Sequence, residues 1–356
     1  MEKRRGLMLL NLGTPDSPTK KDVKTYLEEF LRDPRVIDIP KIAREALLRA
    51  VILPRRPKES AEAYEQVWSE KGSPLLAYGK SLVTVVQELV DNETQNSSDK
   101  QGAQSKVIVD IAMRYGNPSI PDVLQKFEER GVDELVVFPM YPQYASASTG
   151  TGVERVMSTL GKQWNIPSIQ IIPSYFDHPA YIESYARLIT STLTDTTDKL
   201  ILSYHGVPER HCKKSDLSGN HCFQTDTCCD QITRANRYCY RAQCIETTKQ
   251  LIAKLDIDPD RVVTTFQSRL GRTPWIQPYT DEKLTELANK GFTDICIATP
   301  AFVTDCLETL EEIAIRGKED FETAGGKHLR VVPCLNDSEH WAKAIIDICR
   351  THSKWI

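Results

Sequence analysis

The chain has 356 residues, of which 40% are hydrophobic and 26% charged, with a formal net charge of −4. That length holds two domains, each with its own buried core. The balance is that of a globular chain, not a disordered, fibrous or membrane-spanning one, and its mild acidity gives no global attraction to nucleic acid.

The N-terminal stretch "MEKRRGLMLLNLGTP" begins basic and then turns apolar. Its apolar run, about five residues, is too short for a signal peptide, which needs about 7–15. A first strand over "GLMLLNLG" is therefore expected. No run approaches the ~18–20 apolar residues of a membrane span. The expected compartment is the cytoplasm, where clustered thiols point to metal before disulfide. The segment "LLRAVILPRRPKES", Leu47 to Ser60, joins an apolar stripe to Arg55, Arg56 and Lys58. It reads either as a surface for a membrane or an apolar substrate mouth, or as a core helix followed by a solvated basic turn.

Strands and helices then alternate. "KVIVDIAMRY" from Lys106 is a strand. Ser119 caps a helix with Pro121 in its first turn, and Gly131 closes it. Further strands are expected in "DELVVFPMYP", "IPSIQIIPSY", "KLILSYHG", "RVVTTFQS", "DICIATPAF" and "LRVVPCL". Near-continuous apolar runs between helical segments predict parallel strands buried on both faces, so the fold class is α/β, doubly wound. A faint repeat runs through the chain: helix, Gly131, strand, Pro139, and again helix, Gly291, strand, Pro300. It reads either as the ordinary likeness of βαβ units or as two similar domains. Ligands bind beyond the carboxyl ends of such strands, here the loops after Ile111, Pro139, Ser203, Phe266 and Pro300.

Three strand exits carry reactive side chains. His205 follows an apolar strand and precedes Gly206 and Pro208, so its imidazole is expected on a rigid turn, where it can take a proton near neutral pH. In "AFVTDCLETLEEI", Asp305, Glu308 and Glu312 share one face if the segment is helical. Such a row suits a loosely held divalent cation, although a solvated acidic face is the commoner arrangement. Arg114 and Tyr115 in "DIAMRYGNP" are suited to a carboxylate or a flat ligand. Tyr141, Tyr144 and Trp275 add aromatic surface, as expected around a large planar ligand.

The ordered motifs "NLGTP", "MYPQYASASTGTG", "LSYHGVPER", "TFQSRLGRTPWIQPYTDE" and "FVTDCLETLEEI" together resemble those of ferrochelatases, which insert ferrous iron into a porphyrin to make haem. The resemblance runs from Gly6 to about residue 345. It implies two Rossmann-like domains with parallel sheets and the porphyrin in the cleft between them. The corresponding division is 6–172 and 173–345, the second holding a cysteine-rich insert at 211–240, with a C-terminal helix over 338–356. By the same resemblance His205 faces the porphyrin core for proton abstraction or metal handling, and Glu308 opposes it across the macrocycle; both would meet the substrate Fe2+. Asp305 and Glu312 continue an acidic row for metal or proton traffic. Arg114 and Tyr115 form an active-site pair on the other wall, and Leu12, Tyr141 and Trp275 frame the porphyrin. Cys306 departs from the family pattern, which often has a second His there, so no metal-transfer role is assigned to it.

The implied substrate is protoporphyrin IX, with coproporphyrin III as the alternative. Other readings are a non-catalytic iron–sulfur or tetrapyrrole-binding sensor on the same fold, and a cobalt chelatase. Peripheral contact with the inner membrane and handover from the porphyrinogen oxidase step are the expected associations.

The stretch from His211 to Cys244 holds six of the ten cysteines. Relative to the family pattern the inserted ones are Cys212, Cys222, Cys228, Cys229 and Cys239, while Cys244 begins the next helix. A disulfide framework is disfavoured in a reducing compartment. A structural zinc site could draw on His211 and His221, but the spacing lacks paired C-x2-C knuckles. A [2Fe–2S] cluster needs four thiolates, and four of these five can supply them. The adjacent Cys228 and Cys229 point apart in extended chain, so both could ligate only from a tight turn. The expected role is to stabilise or to sense, by closing an insert too poor in apolar residues to order itself. Cys296, Cys306, Cys334 and Cys349 read as small apolar fillers.

Overall fold

A computed structural model describes residues 3–96, 106–271 and 273–353. Eight strands form two sheets. The first contains β1 (Arg4–Thr14), β2 (Lys106–Gly116), β3 (Glu134–Pro139) and β4 (Ser168–Ile171), in the order β2-β1-β3-β4. The second contains β5 (Lys199–His205), β6 (Val262–Gln267), β7 (Asp294–Ala298) and β8 (His328–Val331), in the order β6-β5-β7-β8. All pairings are parallel. Every residue of β3 and of β7 is buried, which is why these strands read as unbroken apolar runs.

The two sheets have the same order, and the faint repeat falls on equivalent strands, β3 and β7. The helices before them end alike. Gly131 and Gly291 have φ of 67° and 90°. In each, two N–H groups turn back onto the last helical carbonyls: Gly131 to Glu128 and Val132 to Phe127, then Gly291 to Ala288 and Phe292 to Leu287. This left-handed cap needs a residue without a Cβ penalty, so glycine marks both ends. At the other end of the first of these helices, Ser119 accepts the N–H of Asp122, the expected cap.

The chain packs as two compact units, one of residues 1–140, 146–173 and 336–356, the other of residues 141–145 and 174–335. The first is built on a core of Met8, Leu10, Val123, Phe127, Leu135 and Val156. The second is built on Ile201, Leu284, Ile295, Ile297, Ile313 and Phe321. These units differ from the expected division at 6–172 and 173–345. The loop after β3 packs with the second unit, and the chain from Asn336 onward packs with the first. The expected terminal helix over 338–356 is found as Glu339–His352, and residues 354–356 lie outside the described ones.

The helices after β4 and β8 are therefore exchanged. Pro179–Thr192 follows the first sheet but packs in the second unit, and Glu339–His352 follows the second sheet but packs in the first. In the first unit Trp341 is fully buried with its ring edge-on to Phe138, centroids 6.2 Å apart, and Ser81 Oγ donates to Asp337 at 2.5 Å. Replacing Trp341 with Ala is expected to destabilise the protein by about 3–5 kcal/mol, seen as an earlier denaturant midpoint.

Candidate active site

In the second unit the chemistry gathers where the strand order reverses between β5 and β7, the place where doubly wound sheets bind ligands. His205 ends β5, in register with Gln267 of β6. Its Nδ1 lies 2.5 Å from the carbonyl of Gly206. A carbonyl only accepts, so Nδ1 carries a proton, and in the uncharged form of the ring Nε2 is the acceptor. The Phe302 ring lies 6.0 Å away. A Cβ on Gly206 would stand 2.8 Å from the Gln267 carbonyl and 3.2 Å from the Trp275 ring. Glycine here lets half-buried Trp275 pack beside the histidine turn, its indole N–H donating to Leu270 O at 2.9 Å. Tyr141, also half-buried, belongs to this unit through the loop after β3.

The acidic segment differs from an α-helical row. Residues Glu308–Gly317 form a π-helix, a wider coil that recurs at functional sites. Its fuller turn brings residues four apart close to one line, so Glu308 and Glu312 lie together. Asp305 lies before the helix, in a buried turn, where Thr309 Oγ1 donates to it at 2.9 Å. The same hydroxyl oxygen accepts the Cys306 N–H at 3.0 Å, so Asp305 anchors the helix start and is not a third member of the row. Cys306 beside it is buried, and burial, then the charge of Glu308, pushes its thiol well up.

Two residues that sequence reasoning passed over hold these parts together. Gln267, 3% exposed, accepts Gly206 N–H at its carbonyl (2.7 Å), takes the Ser203 hydroxyl on Oε1 (2.8 Å) and donates from Nε2 to Glu308 O (2.9 Å). Ser268 has φ of 65° and gives both N–H and hydroxyl to Glu312, at 2.8 and 2.5 Å. Burial pushes the Glu312 carboxyl up; the bonds from Ser268 oppose this, the charge of Glu308 adds to it, and His205 works against it. His205, Glu308 and Glu312 are thus tied to one strand end through Gln267 and Ser268. Both Gln267 and Ser268 stand in the quoted "TFQSRLG" motif, which was the signal available.

In the first unit, Leu12 is half-buried near the end of β1 and Arg114 is near the end of β2. Arg114 Nη2 donates to Asp33 at 2.7 Å and its Nε to Thr151 Oγ1 at 2.7 Å, with the guanidinium 4.4 Å from the Tyr115 ring centre. Tyr115 is fully buried, its hydroxyl donating to Asp33 at 3.0 Å. With no exposed surface, its side chain works from behind Arg114 and has none to offer a ligand directly. Nothing in "FLRDPRV" marks Asp33 as special.

The segment Leu47–Ser60 divides its expected roles. Leu48 and Leu53 are core residues with Leu31, whereas Val51 is 52% exposed beside exposed Arg49, Arg55, Arg56 and Lys58. No described helix is long and apolar enough to cross a membrane.

All ten cysteines are buried free thiols. The five of the insert lie near one another: the thiol of Cys239 interacts with those of Cys212, Cys222 and Cys229. Cys228 and Cys229 sit in a tight turn with Sγ atoms 3.7 Å apart, so the extended geometry that would part them is absent. Arg241 Nη1 lies 3.6 Å from Cys229 Sγ, and the Phe223 N–H 3.3 Å from Cys228 Sγ. Buried sulfurs with cationic and N–H neighbours are the donor chemistry of a thiolate-bound metal. Among the described residues, however, no three His, Cys, Asp or Glu side chains have the geometry to hold a metal ion. Nor does the insert depend on apolar content for its order. Asp216 accepts the N–H groups of Ser218, Gly219, His221 and Cys222. Fully buried Asn236 donates to the carbonyls of Cys228 and Gln231, and His221 Nε2 donates to Cys228 O at 2.8 Å.

The family model for Ferrochelatase matches residues 4–353. The chain is 45% identical over 345 residues to a ferrochelatase of Legionella pneumophila (strain Corby), covering 97% of this chain and 98% of that one. It is 42% identical over 346 residues to one of Azotobacter vinelandii, covering 97% and 98%. Among solved structures, SirB from Bacillus subtilis with Fe3+ shares the fold, with a TM-score of 0.53 at 9% identity over 99% of this chain and 96% of that one. Two parallel four-stranded sheets, reactive side chains at their carboxyl edges and relatives of this identity lead to one conclusion: the chain belongs to the ferrochelatase family, the metal-chelating lyases that insert a metal into a porphyrin.

Proposed function

We propose that the chain inserts Fe2+ into protoporphyrin IX, the terminal step of haem synthesis, with His205 and Glu308 as its catalytic residues. The observation that carries this reading is the grouping of His205, Glu308 and Glu312 at the switch point of the second sheet. The motif "TFQSRLGRTPWIQPYTDE" favours protoporphyrin over coproporphyrin. Leu12, Tyr141 and Trp275 supply surface for the macrocycle, and Arg114 a cationic anchor.

The chemistry follows from the proton balance. The free porphyrin carries two N–H protons where the metal must sit, and both leave as Fe2+ enters, with no change of oxidation state. With Nδ1 turned to the Gly206 carbonyl, Nε2 of His205 is the ring nitrogen that can accept one proton. Glu308 accepts the second or steadies the incoming cation. Glu312, whose carboxyl burial pushes up, can hold a proton above the usual carboxylate range and so relay it away from Glu308. A site that binds a bent macrocycle better than a flat one would lower the barrier further by exposing a pyrrole lone pair.

For the insert we propose a [2Fe–2S] cluster on four of Cys212, Cys222, Cys228, Cys229 and Cys239, supported by their number, burial and mutual proximity; binding would have to draw four of them together from their present positions. When bound, it supplies a covalent staple between distant parts of the insert. The exposed Val51 with Arg49, Arg55 and Arg56 supports peripheral contact with an anionic inner-membrane surface, where a porphyrinogen oxidase would hand over its product.

His205→Ala and Glu308→Gln should each lower metal insertion by roughly 10²–10⁴-fold while porphyrin still quenches protein fluorescence. Unaltered turnover would remove either residue from the mechanism, and preferred turnover of coproporphyrin III in parallel assays would change the substrate.

Glu312 also has a stability signature. Its folded-state pKa is raised, so its contribution is fully present below the unfolded value of about 4.5 and is lost as pH rises through the folded one. The difference in melting temperature between wild type and Glu312→Gln should therefore move in favour of the variant as pH rises from 4 toward neutrality. A pH-independent difference would contradict the buried, proton-retaining carboxyl.

Anaerobically purified protein should absorb broadly between about 320 and 600 nm and contain about two iron and two sulfide per chain. Cys239→Ser should lose these bands. A colourless protein with one bound zinc would assign the insert to a structural zinc site.

A further inference from the structure

We infer that Asp33 is the positioning residue of Arg114, fixing the guanidinium so that one arm is kept for the porphyrin. This rests on the reading of Arg114 as a porphyrin anchor. Asp33 is 7% exposed and follows the helix Lys20–Arg32 as its C-cap. Four donors converge on its carboxylate. The Arg35 N–H reaches Oδ1 at 2.7 Å. Arg114 Nη2 (2.7 Å), the Tyr115 hydroxyl (3.0 Å) and the Thr151 hydroxyl (2.5 Å) all reach Oδ2.

The hydrogens can be assigned around this ring. Thr151 has one hydroxyl proton and gives it to Asp33, so its lone pair accepts Arg114 Nε at 2.7 Å. The Thr151 carbonyl accepts the same Nε at 3.2 Å. One face of the guanidinium lies on Tyr115, whose ring is itself held edge-on by Phe30 at 5.2 Å. Nε, Nη2 and one face are thus committed. Among the described residues Nη1 is the arm without a protein partner.

A purely structural tie would not need this arrangement. A buried ion pair is weak evidence for stability, because desolvating both charges offsets most of their attraction. A tie between a helix end and a strand end could be made by neutral groups, with no donor left over. An arginine held on three sides with a fourth kept open is instead the form of a preorganised ligand anchor. Burial would raise the Asp33 carboxyl, but the bonds from Thr151, Arg35, Tyr115 and the charge of Arg114 outweigh it and hold it below the usual carboxylate range. It therefore stays an anion through neutral pH.

Asp33→Asn tests the inference. The amide matches the carboxylate in shape but presents an N–H2 either to the Arg35 N–H or to the three donors at Oδ2. Arg114 loses its charged partner either way. The expected result is a rise of about tenfold in the dissociation constant for protoporphyrin IX, read by fluorescence quenching, with a smaller effect on kcat. In an Arg114→Ala background the same change should have no further effect, whereas a merely structural Asp33 would weaken both backgrounds alike.

If Arg114→Ala weakens binding and Asp33→Asn does not, the inference is overturned. If Arg114→Ala itself leaves binding unchanged, the anchor reading fails before Asp33 is in question. Should Asp33→Asn not fold, Arg114→Lys asks the same question. Lysine keeps the charge but cannot meet Asp33 and Thr151 together while presenting a third donor, so it should bind as poorly as Arg114→Ala. Wild-type binding by Arg114→Lys would show that charge alone suffices.

Discussion

The carboxyl edge of the second sheet depends on how strand β6 ends. Gln267 and Ser268 leave the strand as a pair of opposed grips. The first takes the backbone beside His205 through its carbonyl and the backbone of Glu308 through its amide. The second takes both oxygens of Glu312. The backbone at Ser268 is left-handed, a conformation that costs a non-glycine residue about 1–3 kcal/mol and persists only where surrounding contacts over-determine it. Two hydrogen bonds to a buried carboxyl are such contacts. They fix Glu312, while the β5–β6 register and the Gln267 side chain fix His205 and Glu308.

The same economy governs the first unit, with the charge reversed. There a buried carboxylate organises a cation, whereas in the second unit neutral donors organise carboxyls. Both clusters lie where chain leaves a parallel strand. Parallel sheets deliver every strand exit to the same edge, so Arg114 near the end of β2 and Thr151 on the chain after β3 meet there, and Asp33 joins them from the end of the helix Lys20–Arg32.

Much of the fold was legible because burial on both faces writes itself as an unbroken apolar run. The inner strands could be read in this way, the half-exposed edge strands Ser168–Ile171 and His328–Val331 only by their place in the alternation, and Gly131 and Gly291 marked the helix ends before two strands. His205, Glu308 and Arg114 were legible as reactive groups just outside apolar runs. Less visible was anything set by the partner of a residue and not by the residue itself. Asp33 looks like any helix-end aspartate until Arg114, Tyr115 and Thr151 surround it. The spacing of Asp305, Glu308 and Glu312 fits an α-helix, but the Thr309 hydroxyl holds Asp305 in a turn and the following coil is wider. Cys228 and Cys229 were expected to diverge because no local signal announced their turn, which is set at a distance by Asn236 and His221. The exchange of the two sheet-closing helices is invisible as well, since an amphipathic helix carries no record of which sheet it covers.

That exchange sets an order on synthesis. A nascent chain emerges from its N-terminus, and the first sheet is the first to leave the ribosome. Yet the first unit has residues as late as 336–356, while the second is confined to 141–145 and 174–335. The unit begun first is finished last. Until Trp341 arrives, Phe138 keeps an uncovered face, and the four earlier strands wait as an open sheet while the later half of the protein is completed around His205.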